Sequence, residues 1–183
     1  MENLALEFMN SQWYDWRGTG RSEDRLDRPG WLEAFLEKWE LQAQVPPEPC
    51  ERAALGELRE AMRAITECAI SGREPDHGDI ARLNEAMAEV PSRPVLVREE
   101  GGWRLERRTG DRGWATVMGR VAVAFARLLA EEDVRRLKIC ANEDCRWIFF
   151  DESRSRTARW CDDKMCGNLM KVRRFRKRRK END

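Results

Sequence analysis

Apolar positions recur at three- and four-residue steps through most of the first 130 residues, the pattern of helices that bury one face. Leu4, Phe8 and Met9 open one such stripe, predicted to run to about Trp16 before Gly18, Thr19 and Gly20 break it. Trp31, Leu32, Phe35, Leu36 and Trp39 predict a second helix after Pro29, and the three prolines within Val45–Pro49 predict a loop. Leu55, Leu58, Met62, Ile65 and Ala69 form the stripe of a third helix that Gly72 ends; Ile80, Leu83 and Met87 form that of a short fourth. The period then changes. Val95 and Val97, and after Gly101-Gly102 Trp103 and Leu105, alternate with polar residues, so Pro94–Arg108 predicts a β-hairpin and Thr109–Gly113 a loop. Trp114–Glu131 is apolar nearly all round, with only Arg120 and Arg127 charged inside it, and is predicted to be the central, largely buried helix.

Composition narrows the class. The chain has 183 residues, 41% hydrophobic and 37% charged, which suits one domain, or one with a small appendage, and excludes a disordered chain. Its longest apolar run, the stretch Val121–Ala126, is far short of the roughly 20 residues that span a bilayer. The opening Met-Glu-Asn-Leu has no basic region ahead of a long apolar segment, so no membrane and a cytoplasmic location are expected. The formal net charge of zero hides an asymmetry: residues 139–183 hold 13 basic against 8 acidic side chains, and the rest of the chain is acidic by the same margin. Within Lys171–Lys180, eight of ten residues are basic. Such a split predicts an acidic body carrying a basic binding element.

Four of the six cysteines lie in that basic part, as Cys140-x4-Cys145 and Cys161-x4-Cys166. In a reducing compartment, clustered cysteines point to metal rather than disulfides. Two close pairs supply the four soft ligands of a tetrahedral zinc with little loop-closure cost, and four thiolates leave no position open for a catalytic water. Trp147-Ile148-Phe149-Phe150 reads as a strand, and a helix is predicted from about Asn168 to Lys180. Knuckle, strand and loop, second pair, then helix is the order of a treble-clef-like zinc module. Cys50 and Cys68 have no near partners in sequence and read as ordinary semi-buried thiols.

The segment Leu137–Arg179 resembles the CGNR zinc-finger module of bacterial regulators. The matching residues are the four cysteines, Trp147-Ile148-Phe149-Phe150-Asp151, Ser153-Arg154, Arg159-Trp160-Cys161 and Cys166-Gly167-Asn168, with Lys171 and Arg174. The opening Leu4–Asn10 resembles the start of the helical ABATE domain that precedes this finger. Leu169 stands where the family has arginine, and Ser155 where asparagine is common. The resemblance implies a stress-responsive transcription regulator.

Along the last predicted helix, Met165, Leu169, Val172 and Phe175 make an apolar stripe expected to pack on the knuckle. Lys171, Arg173, Arg174, Lys177, Arg178 and Lys180 fill its other faces, and Arg154, Arg156 and Arg159 precede Cys161. Some of these cations offset the formal −2 of a four-thiolate zinc; the remainder favour phosphate. DNA is the first partner this suits. RNA or a protein docked on a zinc scaffold is the alternative, and an inert tail is a third reading.

In the body, Asn10, Trp13 and Arg17 are expected on one face of the first helix, and Arg120 inside the buried one. Arg120 either pairs structurally with an acidic or polar group, or joins the other three in a pocket for a small anionic effector. A homodimer through the body is the other role open to it. The one histidine, His77, lies in a polar Asp-His-Gly-Asp segment read as a loop, and no catalytic constellation is visible, so an enzyme is not expected. The expected fold is mainly α: residues 1–136 a helical domain with a short β-hairpin, residues 137–183 a treble-clef-like zinc module ending in a basic helix.

Overall fold

The computed structural model describes residues 2–88, 92–99, 102–109 and 112–182. Asn3 starts the first helix, α1 (Leu4–Met9), by accepting the N–H groups of Ala5 and Leu6 at 2.9 and 3.2 Å. All of its residues but Glu7 are buried. The helix ends there and does not reach Trp16. Asn10, itself buried, exchanges two hydrogen bonds with the main chain of Ile148, donating from Nδ2 at 2.8 Å and accepting at Oδ1 at 2.9 Å. The chain beyond it runs extended, and Gln12–Tyr14 (β1) pairs antiparallel with Ser22–Asp24 (β2). Adjacent Trp and Tyr suit a strand. Asn10, Trp13 and Arg17 therefore do not share a helix face.

Helix α2 (Trp31–Lys38) buries Leu32, Phe35 and Leu36. Pro49, expected in the preceding loop, is the first residue of α3 (Pro49–Ser71), where a missing N–H costs nothing. Gly72, left-handed at φ 67°, closes α3 as its sequence predicts. Helix α4 (His77–Ala88) takes in His77, because Asp76 accepts the Gly78 N–H at 2.7 Å and starts the helix one turn earlier than expected. Leu83 is buried there, whereas Ile80 faces outward.

Strands β3 (Ser92–Glu99) and β4 (Gly102–Thr109) form the expected hairpin, two residues longer at its start and one at its end. Gly101, expected in its turn, lies outside the described residues. Helix α5 (Trp114–Glu131) has the predicted bounds, packs on α1, α3 and α4, and buries Trp114, Val117, Val121, Ala122, Phe125 and Leu128. Arg120 lies half-buried at its rim and donates to the main-chain carbonyl of Glu40 at 3.2 Å, not to a carboxylate.

The deeply buried guanidinium groups belong to α3 instead. Arg59 grips both oxygens of Asp24 at 2.6 and 2.7 Å. Arg63 donates to the carbonyls of Met9 and Arg146, each at 3.1 Å. No helix among the described residues is long and apolar enough to cross a membrane.

Candidate metal centre

Past α5, Leu137–Ile139 (β5) pairs antiparallel with Ile148–Phe150 (β6). Leu137 and Ile148 point into the body's own core, so the hairpin is rooted in the fold that precedes it. The loop at its tip is the first cysteine pair. Cys140 donates its N–H to the Trp147 carbonyl and Cys145 to that of Asn142, both at 2.8 Å, and Arg146 turns the chain back at φ 53°. Ala141 donates to the Arg159 carbonyl at 2.8 Å, which brings the second pair alongside.

Cys166 sits in a single π-helical turn, Asp163–Gly167, that leads directly into α6 (Asn168–Asn182). Gly167 has a steric reason: a Cβ there would run into the Asp163 carboxylate and the Trp160 ring.

The four sulfurs lie within 4.8 Å of one another, with Cys145–Cys161 at 3.6 Å and Cys161–Cys166 at 3.9 Å, and none is in a disulfide. Zinc with Zn–S bonds of about 2.3 Å sets tetrahedral sulfurs about 3.8 Å apart, so the donor set fits. Protons alone serve this cluster poorly. Hydrogen bonds from Cys145 and Cys161 pull the Cys140 thiol far down, the same contacts push those two up, and burial pushes up Cys166. A dication is what lets all four be thiolates together. Buried Asn142 points Nδ2 at the Cys166 sulfur (3.6 Å) and donates to the Trp16 carbonyl (2.7 Å). Trp16, Trp147, Phe149 and Trp160 enclose the cluster.

Residues 136–179 match the CGNR zinc finger family, and residues 2–132 match the ABATE family, described as "Putative stress-induced transcription regulator". The chain belongs to the ABATE family. No curated protein sequence matches it. Both families are regulatory or metal-binding rather than enzymatic, and zinc is the cofactor this pairing carries.

In this ABATE protein the finger is locked to the body. Arg173 of α6 bonds Asp144 at 2.6 Å and the Arg17 carbonyl at 2.8 Å, lying against Gly18, where any Cβ would meet both side chains. Asn10 bonds β6, Arg63 bonds Arg146, and Arg146 in turn lies 5.1 Å from the Tyr14 ring centroid.

The loop before Cys161 is held by buried Asp151, which accepts from Lys138 at 2.6 Å and from the N–H groups of Ser153 and Ala158 at 2.9 Å. Burial pushes its carboxyl up, but these hydrogen bonds outweigh that and keep it well below the usual carboxylate range.

The residues singled out for binding are distributed unevenly. Arg174, Lys177, Arg178 and Lys180 lie exposed along one rod, α6. Arg173 is half-buried and clamps α6 to the body, Lys171 reaches Asp163 at 3.4 Å, and Arg156 pairs with Asp133 at 2.7 Å. Arg154 is exposed, and Arg159 stacks on Trp160 at 5.3 Å.

The expected packing of Met165, Val172 and Phe175 on the knuckle is not made, and Phe175 remains 67% exposed. Only Leu169 of that stripe is half-buried, because α6 leaves the knuckle after its first turns. Asn10, Trp13, Arg17 and Arg120 are not brought together. Asn10 faces β6, Trp13 sits in β1, Arg17 lies over Trp16 at 4.8 Å, and Arg120 is at the rim of α5.

Asn142, Trp16 and Arg63 are the residues the sequence did not mark. A short Asn between zinc-ligand cysteines is a usable signal for a donor to sulfur; nothing local distinguishes the other two.

Proposed function

We propose that this chain is a DNA-binding transcription regulator, in which Cys140, Cys145, Cys161 and Cys166 hold one zinc and so fix the root of α6. In this reading the rod and the Arg154–Arg159 loop carry the phosphate contacts. Residues 1–136 form the controlling body and residues 137–183 the finger. The observation that carries the reading is the exposure of every residue from Arg174 to Lys180. Among the described residues Arg174, Arg176, Arg178 and Arg179 meet no carboxylate, although the chain as a whole has as many acids as bases.

The exposed apolar edge of α6, Val172 and Phe175, points the same way. A second α6 is a poor cover for it, since eight basic residues in ten would face eight others. A nucleic-acid groove neutralises the cations and offers thymine methyls or base steps to the apolar side chains.

With about five phosphates neutralised, log affinity for duplex DNA should fall against log salt with a slope of about −4 to −5. Replacing Arg174, Lys177 and Arg178 with alanine should flatten the slope to about −2 and weaken all sequences alike, with zinc content unchanged. Fluorescence anisotropy across a salt series reads both. An unchanged slope refutes the α6 surface, and binding confined to structured RNA replaces DNA as the partner.

A further inference from the structure

We propose that the seam between body and finger is a binding site for a small aromatic monocarboxylate, with Arg25 as its anchor. The proposal rests on the reading of the body as the controlling half of a regulator. A cavity of ≈ 470 Å³ opens between α1, α2 and β6, well within the size of small-molecule sites. Trp31, Phe149, Phe150 and Trp147 give it aromatic walls contributed by both halves of the chain.

Arg25 lines it from the turn after β2, with its guanidinium 5.7 Å from the Trp147 ring centroid. Among the described residues its side chain makes no hydrogen bond and no ion pair, and its Nε is buried without a partner. The Nε of Arg59 likewise lacks a hydrogen bond, but Arg59, Arg63 and Arg173 each direct their terminal nitrogens at named acceptors, and Arg25 does not. Lys38, the other cation of the cleft, is already closed on Glu7 at 2.7 Å. Burial presses the Arg25 pKa downward, and a bound anion would reverse that.

A guanidinium fork facing an aromatic slot takes a planar carboxylate attached to a ring, through two parallel N–H···O bonds. Glu2, Glu7 and Glu152 line the cleft as well, against Arg25 and Lys38, so the second negative charge of a phosphate dianion adds repulsion that a monocarboxylate avoids. The zinc-cluster residue Cys161 borders the same cavity, so a ligand there touches body and finger at once.

Zinc-loaded full-length protein titrated with benzoate, with benzamide and inorganic phosphate as controls, tests the site through tryptophan fluorescence and melting temperature. Benzoate should saturate both signals, with the controls at least tenfold weaker. Arg25→Gln and Arg25→Lys should each weaken benzoate at least tenfold while zinc content stays unchanged and the ligand-free melting temperature shifts little, because the Arg25 side chain has no hydrogen bond or ion pair to lose, only its contact with the Trp147 ring. A response that does not saturate, that phosphate reproduces, or that survives in Arg25→Gln overturns the proposal. DNA affinity measured on the same samples separates the two readings. DNA binding without benzoate binding removes this site alone. Arg25-dependent benzoate binding without DNA binding keeps the site and removes the regulator.

Discussion

Cys166→Ser should strip the zinc and melt α6 while the helices of the body stay folded. The body's apolar core and the shell around the cysteines are two separate clusters, joined through β5 and β6. Cys166 belongs wholly to the second: it is buried, accepts from Asn142, and lies in the turn that becomes the first residues of α6. Serine removes one of four thiolates and leaves Asn142 facing a shorter, poorer acceptor. Structural zinc supplies an apparent binding energy of about 10–16 kcal/mol to modules of this kind, so a weakened site is a weakened fold.

Helix α6 has little of its own to fall back on. It spans 15 residues, about the length at which isolated helices become marginal in water. Arg174 and Arg178 are one of its like-charged i,i+4 pairs, each worth a few tenths of a kcal/mol against the helix. Elemental analysis after mild chelation should fall from about one zinc per chain to well below it, and far-UV circular dichroism should lose the signal of one helix. Stoichiometric zinc with undiminished helicity in this variant would sink the assignment of the four cysteines.

What the sequence made legible follows from how local each determinant is. Helices α3 and α5 stand where their apolar stripes place them, since each buries a long, uninterrupted face. The cysteine quartet was readable because four donors in two equal pairs have few other uses. The end of α1 was not, because it is decided by Asn10 bonding Ile148, 138 residues away. The stripe Met165–Phe175 has a helical period, and α6 is a helix there, but a period says nothing about what covers the face. Arg59 and Arg63 flank the α3 stripe four residues apart and look like its solvent side. Their burial depends on β2 and on the last carbonyl of α1 arriving to accept their protons. Arg120, inside the most apolar helix, looked the better candidate and lies at a rim.

Arg59→Ala should cost the body about 3–5 kcal/mol in urea denaturation of the zinc-loaded protein at pH 7, as much as truncating a core aromatic. Arg59 is 4% exposed and donates to both oxygens of Asp24, to the Ser11 hydroxyl at 2.9 Å and to Gln12 at 3.3 Å. It thereby ties α3 to β2 and to the segment that leaves α1. Alanine leaves the buried Ser11 hydroxyl without this donor and Asp24 with Arg52, at 2.8 Å, as its remaining cation. Burial pushes the Asp24 carboxyl up, but the bonds and charge of Arg59 outweigh it and hold the group below its ordinary value. A carboxyl depressed in the fold contributes stability that is complete above its unfolded pKa, about 3.9, and is lost as pH falls through the folded value. The stability gap between wild type and Asp24→Asn should therefore be widest at neutral pH and shrink once the pH drops below about 4. Acid also releases zinc, but from both proteins alike, so the difference between them isolates Asp24. A cost below about 1 kcal/mol for Arg59→Ala, or a gap that stays constant into acid, would mean that the apolar core alone holds β2 against α3 and that the buried pair is incidental to it.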